Sequence, residues 1–298
     1  MDARRRAAAR ASMAGLAFGD AFGERFFGLF RPEAEARQLI AERRTPPDAH
    51  WHWTDDTAMA LSLLAVLEAH GEVRSPALAE RFAARYKDDP GRGYGPGMHA
   101  LLPRVAAAPG EWESLATALF GGEGSLGNGA AMRVAPLGAW FHGDLDRAAE
   151  QAARSAAVTH AHPQGIAGAV AVAVAAALSA RGEVPELTAV AARTPDGPVR
   201  EGLLRAAGLP PETAPEQAAE ILGSGRRVRA DDTVPYALWC AARHPEDLTA
   251  ALWATAAGLG DVDTTCAIAG GVVAARTGTG ALPEEWARRR EPLPPTGS

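Results

Sequence analysis

The sequence predicts an all-α protein. Apolar residues recur at helical spacing along most of the chain, alanine fills several of those stretches, and no strand or hairpin signal separates them. Roughly a dozen helical segments follow from that pattern. With 298 residues and 47% hydrophobic content the chain can bury a sizeable core. No shift of composition divides it. Residues 1–282 are therefore expected to form one domain, and residues 283–298, with Pro283, Pro292, Pro294 and Pro295, a frayed tail.

Composition also excludes several classes. A net charge of -6 and a pI near 5.8, with basic residues dispersed, predict no stable nucleic-acid complex. Cys240 and Cys266 stand apart without a CxxC or histidine partner, so neither a disulfide framework nor a zinc site is expected, and a reducing cytoplasm fits. Arg10 and Asp20 interrupt the N-terminal apolar run, so no signal peptide is expected. The longest uncharged run, Ile166 to Ala180, falls short of the roughly 20 apolar residues of a bilayer span and predicts a buried helix. A monomer without membrane contact is the expectation.

Along the chain, residues 3–22 predict a helix whose Gly15, Gly19 and Gly23 would let another helix pack closely. Asp20 within it is either a satisfied core carboxylate or support for a nearby metal site. A short helical stretch around Glu33 to Arg43 leads into a loop. Helices are then expected over residues 57–68, 76–86, 130–141, 144–158, 166–180, 235–242 and 246–258, with a proline- and glycine-rich surface excursion from Thr194 to Pro215. Asp231-Asp232-Thr233 stands before the Pro235 helix and reads as its cap.

Two acidic knots carry the functional signal. Thr54-Asp55-Asp56-Thr57 precedes the apolar run Ala58 to Leu67, and Asp261-Val262-Asp263-Thr264-Thr265 precedes Cys266 to Ala275. Side-chain oxygens at a helix start ordinarily accept bonds from unpaired backbone N–H groups. One cap needs one acceptor, so each knot has a spare carboxylate, and spare carboxylates repel unless a cation lies between them. An all-oxygen set of this kind suits Mg²⁺, Mn²⁺ or Ca²⁺ rather than zinc. If the knots meet, they can hold two ions.

Other candidates are weaker alone. Tyr94, in the glycine-rich loop Arg92 to Gly97, is either a ligand-facing aromatic or a turn-packing one. Gly121 to Arg133, rich in glycine before a helix, is a possible anion site without the Lys-Ser/Thr of a Walker loop or the preceding strand of a Rossmann turn. His160 and His162 close a helix in Thr159-His160-Ala161-His162-Pro163, where histidines are either structural or functional.

Together these motifs resemble one family. TDDTAMA at Thr54 to Ala60, GNGAAMRVAPLG at Gly127 to Gly138, THAHP at Thr159 to Pro163, VPYALW at Val234 to Trp239 and GDVDTTCAIAGGVVAARTG at Gly260 to Gly278 look like the ADP-ribosylglycohydrolases, in family order and over nearly the whole chain. The resemblance implies an orthogonal all-α domain with a binuclear centre of two Mg²⁺, or Mn²⁺. It places Thr54, Asp55, Asp56, Asp261, Asp263 and Thr264 on the metal ligands, with Asp55 and Asp263 also catalytic. Gly127, Asn128 and Gly129, with Met132 on the helix they open, fall on the part that cradles ADP-ribose phosphates. His160 falls on a histidine near the substrate, and Tyr94 of the glycine-rich loop is the further substrate-binding candidate.

The implied reaction is hydrolysis of the glycosidic bond to ADP-ribose on a modified protein, nucleic acid or small molecule. A binuclear phosphoesterase acting on a nucleotide and a non-catalytic ADP-ribose-binding relative are the alternatives. Two departures stand out. Members of the family often have a glutamate where this chain has Phe27, and Glu24 is the nearest acid that can substitute. The common GGDTDT is here Leu259-Gly260-Asp261-Val262-Asp263-Thr264.

Overall fold

The glycine spacing of the first helix decides how the molecule is assembled. In the computed structural model, which describes residues 2–28 and 31–294, the helix Asp2–Gly23 lies directly against the helix Val262–Thr277. A Cβ on Gly19 would overlap the Cys266 carbonyl, and one on Gly15 the Gly270 carbonyl. Only glycine permits this approach. Gly19→Ala is expected to destabilise the protein by about 3 kcal/mol, because backbone cannot yield as a side chain can. Urea unfolding measures it, and a loss below about 0.5 kcal/mol, the usual scatter of surface changes, would contradict the packing.

The described residues form 17 α-helices and no strand, and 68% of them are helical. The alanine- and valine-rich helix Pro163–Ala180 runs through the middle of one continuous buried core. It is long and apolar enough to cross a membrane, yet 78% of it is buried inside the protein. The apolar pattern therefore serves helix packing on several sides rather than one.

Several expectations change. The tail was expected to fray from residue 283, but Glu284–Arg289 is helical and Trp286 is buried. Its ring stacks 4.8 Å from Phe22 and lies 5.7 Å from Trp51. Trp51 N–H donates to the Arg289 carbonyl at 2.9 Å, and Glu291 N–H to the Trp51 carbonyl at 2.9 Å. Residues 295–298 of that expected tail lie outside the described residues.

The segment from Thr194 to Pro215 is not merely a surface excursion. Pro198 opens the helix Pro198–Ala207, whose Val199 and Leu203 are buried, because proline is tolerated at a helix's first turn. Residues 130–141 do not form one helix: a 3-10 turn at Asn128–Ala130 gives way to the short helix Ala135–Trp140, which starts where Pro136 can occupy its first turn. Asp231-Asp232-Thr233 does not cap a helix at Pro235. The helix is Ala230–Arg243, with Arg229 at its cap and no side-chain cap bond. Asp232 instead accepts from the Arg227 backbone N–H at 2.8 Å and its guanidinium at 3.1 Å, closing the preceding turn.

Candidate active site

The two acidic knots do meet, and helix capping does not use up their carboxylates. Asp20, fully buried in the first helix, accepts from Thr54 N–H at 2.9 Å, Thr57 N–H at 3.1 Å and the Thr57 hydroxyl at 2.6 Å. It is thus both satisfied and supportive: it holds the start of the helix Asp55–His70 from a distance of 34 residues in sequence. Thr54 supplies the local cap, accepting from Asp56 N–H at 3.4 Å. Neither Asp55 nor Asp56 serves as the cap, although Asp56 Oδ2 accepts from the Thr54 hydroxyl at 3.2 Å, and Thr54, Asp55 and Asp56 are all buried.

On the second knot, Asp261 makes no side-chain cap bond. Its Oδ2 accepts from the Asn128 amide at 2.6 Å, and the same amide donates to the Thr233 hydroxyl at 3.0 Å. The Asn128 loop is thereby tied to the second acidic helix. The glycine contact carries Asp263 beside Asp20 and Glu24, since a Cβ on Gly23 would lie 2.6 Å from the Asp263 Cα. Thr264 is buried next to it.

Electrostatics record the convergence. Burial and then the charge of Asp263 raise Glu24 to about 8. Burial, with Asp263 adding to it, raises Asp20 to about 7. Asp55, Asp56 and Asp261 are pushed well above the usual carboxylate range, first by burial and then by one another and by Asp263. Two oxygens, Asp56 Oδ1 and Asp263 Oδ1, are buried without a hydrogen-bond partner. Such a concentration of negative charge is stable only if protons or cations neutralise it. The all-oxygen donors fit a hard cation, although among the described residues no three His, Cys, Asp or Glu side chains are already drawn together as a ready ligand set.

Across from the acids lies the glycine loop. His160 is buried with Nδ1 2.7 Å from the Thr159 hydroxyl, which in turn accepts from Arg133 at 3.0 Å. With the Thr159 proton directed to Nδ1, the ring proton sits on Nε2. That edge faces the loop: a Cβ on Gly129 would lie 2.9 Å from Nε2, and one on Gly127 3.4 Å. Close packing with His160 accounts for Gly129, whereas at Gly127 the nearest atom is the Ser125 hydroxyl at 3.2 Å. Burial, helped by Arg133, pushes His160 down to about 3, so it stays neutral at any working pH. His162 is the cap of the Pro163–Ala180 helix, accepting from Gln164 N–H at 3.1 Å. Met132 is buried behind the loop rather than exposed in front of it.

Tyr94 is buried, as its turn-packing reading expects. Its ring packs edge-on against Tyr86 at 5.0 Å, while its buried hydroxyl has no partner and its acidity is suppressed by burial and then by Asp55.

Two residues that sequence reasoning passed over also matter here. Arg133 is fully buried, donates to the Gly129 carbonyl at 3.1 Å and the Ser155 carbonyl at 2.9 Å, and is lowered to about 9 by desolvation. As the lone cation in GNGAAMRVAPLG, it could have been noticed. Arg92 accepts at its carbonyl from Asp55 N–H at 2.7 Å, while its guanidinium lies 3.7 Å over the Trp53 ring and pairs with Glu291 at 2.8 Å. That pairing spans 199 residues and left no local signal.

An all-α molecule whose buried acids gather at two helix starts, opposite a histidine-backed glycine loop, has the make-up of a polar hydrolase cleft. The ADP-ribosylglycohydrolase family model matches residues 1–294. A mouse protein named ADP-ribosylhydrolase ARH3 is 29% identical over 93% of this chain and 85% of its own length. The human protein of that name is 30% identical over 79% and 73%, and an uncharacterised protein of Archaeoglobus fulgidus is 30% identical over 91% and 88%. A solved structure titled ADP-ribosylglycohydrolase-related protein complex superposes with a TM-score of 0.63 at 25% identity, covering 97% of this chain and 94% of that one. The chain belongs to the ADP-ribosylglycohydrolase family, and as such it is a hydrolase of glycosyl bonds.

Proposed function

We propose that the protein cleaves the glycosidic bond between ADP-ribose and a modified acceptor, and that Thr54, Asp55, Asp56, Asp261, Asp263 and Thr264 hold two hard divalent cations, Mg²⁺ or Mn²⁺, while they do so. The observation that carries this reading is the set of mutually repelling buried carboxylates with orphaned oxygens on Asp56 and Asp263. When bound, such cations would neutralise the carboxylates and polarise ribose hydroxyls and a water.

The chain's own residues supply the rest. Asp20 fixes the start of the first acidic helix, and Asn128 fixes Asp261 against the glycine loop. His160 Nε2–H, locked through Thr159 and Arg133, is a neutral donor toward the substrate side of that loop. In the cation-free protein the Glu24 carboxyl is raised to about 8 by burial and by Asp263. As general acid, Glu24 gives a proton to the leaving nitrogen or oxygen as the bond to the anomeric carbon breaks, and regains one from the water whose oxygen bonds to that carbon. Phe27 takes no part in proton transfer.

The test is a panel of ADP-ribosylated substrates followed by chromatography, with and without chelator. Free ADP-ribose is the expected product, lost in chelator and reduced at least about 100-fold in Glu24→Gln. Phosphate or AMP as product would point to a phosphoesterase instead. Full turnover in chelator would remove the cations from the mechanism.

A further inference from the structure

Beside Asp261, a cleft of about 310 Å³ opens between the turn at Phe26 and Phe27 and the segment Gly225 to Val228. Asp261 belongs to both this cleft and the carboxylate cluster, so the two are continuous. The residues lining the cleft include none from the Gly127–Gly129 loop, nor His160 or Tyr94. Its lining is thus distinct from the loop side of the acids.

The walls are apolar where a purely structural turn would be polar. Val228 is 57% exposed, and both it (φ 54°) and Leu259 (φ 52°) hold left-handed backbone. For a β-branched residue that conformation is an outlier, with a cost of about 1–3 kcal/mol. Core packing does not explain Val228, because its side chain stands in the open at the mouth. It is held there by its own N–H donating to the Gly225 carbonyl at 2.7 Å and by its carbonyl accepting from Asn128 N–H at 3.3 Å. Phe26 and Leu259 are buried in the wall behind, and Phe27 is half-buried against the core. Exposed apolar side chains around a cleft mark a binding surface.

Charge narrows the ligand further. The rim pair, Arg226 and Glu33, lie 3.5 Å apart, and Glu33 is also bound by Arg37 at 2.7 Å. Asp261 is bonded to Asn128. Among the described residues, the two carboxylates that line the cleft, Glu33 and Asp261, already have arginine or amide partners. The volume lies at the low end of the roughly 300–1,000 Å³ of small-molecule sites, enough for one ring-sized group.

We propose that this cleft is the acceptor subsite of the hydrolase, and that it receives a planar, uncharged nitrogen heterocycle, a nucleobase, as the leaving group. The inference rests on the glycohydrolase reading above. In the step it implies, a water oxygen bonds to the anomeric carbon and the carbon–nitrogen bond breaks. The electron pair leaves with the ring nitrogen, and that nitrogen takes a proton, so that ADP-ribose and the free base result.

The experiment compares kcat/KM for ADP-ribose linked to a nucleobase, to arginine and to serine, in the wild-type enzyme and in Val228→Lys and Phe27→Ser. Val228 is exposed, so its variant will fold, and its melting temperature checks this. The nucleobase conjugate is expected to be cleaved at least about tenfold faster than the others, and both variants to erase most of that preference while changing the other two by less than about twofold. Equal or faster cleavage of the arginine or serine conjugates, or a preference untouched by both variants, overturns the assignment and leaves the hydrolase reading standing. Release of ADP-ribose from none of the three removes that reading and the cleft assignment with it.

Discussion

Asp56→Asn is expected to abolish turnover while making the cation-free protein more stable. Asp56 is 1% exposed, its Oδ1 has no partner, and four acids, Asp20, Asp263, Asp55 and Asp261, add to burial in opposing its charge. An amide keeps the shape and can still accept from the Thr54 hydroxyl, which bonds Asp56 Oδ2 at 3.2 Å. It removes a negative charge that only a proton or a cation could have stabilised. Activity should fall by more than the roughly 10–100-fold typical of outer-shell changes at metal sites. In chelator the melting temperature should rise, by roughly 2–4 °C for each kcal/mol of repulsion relieved. Calorimetric scanning beside an ADP-ribose release assay reads both effects. Normal turnover, or a lower melting temperature in chelator, would reduce Asp56 to an ordinary helix-start residue.

The second large effect concerns pH. Asp20 is raised from 3.8 to about 7 and Glu24 from 4.5 to about 8, so the folded state binds more protons than the unfolded one across that window. Stability from these groups is complete below the unfolded values and is lost as pH rises through the folded ones. From these groups the cation-free protein should therefore be most stable near about pH 4 and melt at progressively lower temperature as pH rises to about 8. Millimolar Mg²⁺ should flatten the decline, because nearby positive charge favours the ionised carboxylates. Glu24 is half-buried and so partly screened, and fully buried Asp20 and the acids around it carry most of the effect. A melting temperature independent of pH in chelator, or a decline equally steep with Mg²⁺, would contradict this.

Much of the architecture was legible because its signals are local. The helical period marked most helices, and the four-residue glycine spacing announced the close contact that the Gly19 and Gly23 backbones make. The doubled acids of each knot announced more than a cap. The unread parts depend on contacts between distant segments. Trp286 sits in a six-residue helix too short to show a period, and its burial comes from Phe22, Trp51 and Trp253. Asp232 and Thr233 look like capping residues until Arg227 and Asn128 are brought beside them. The 130–141 stretch has helical composition, yet Pro136 and the packing of Gly129 on His160 confine the helix to its second half. Arg133 was visible as the lone cation of its motif, but the Gly129 and Ser155 carbonyls it binds lie on separate segments that the sequence does not bring together.

The most direct test is a titration of the chelator-stripped chain with Mn²⁺, followed by calorimetry and electron paramagnetic resonance. Two ions should bind per wild-type molecule, and Asp263→Asn should lose at least one of them while retaining its helical content. A wild-type protein that takes up no Mn²⁺ at saturating concentration, or an Asp263→Asn variant that binds as the wild type does, would show that the gathered carboxylates are neutralised by protons alone.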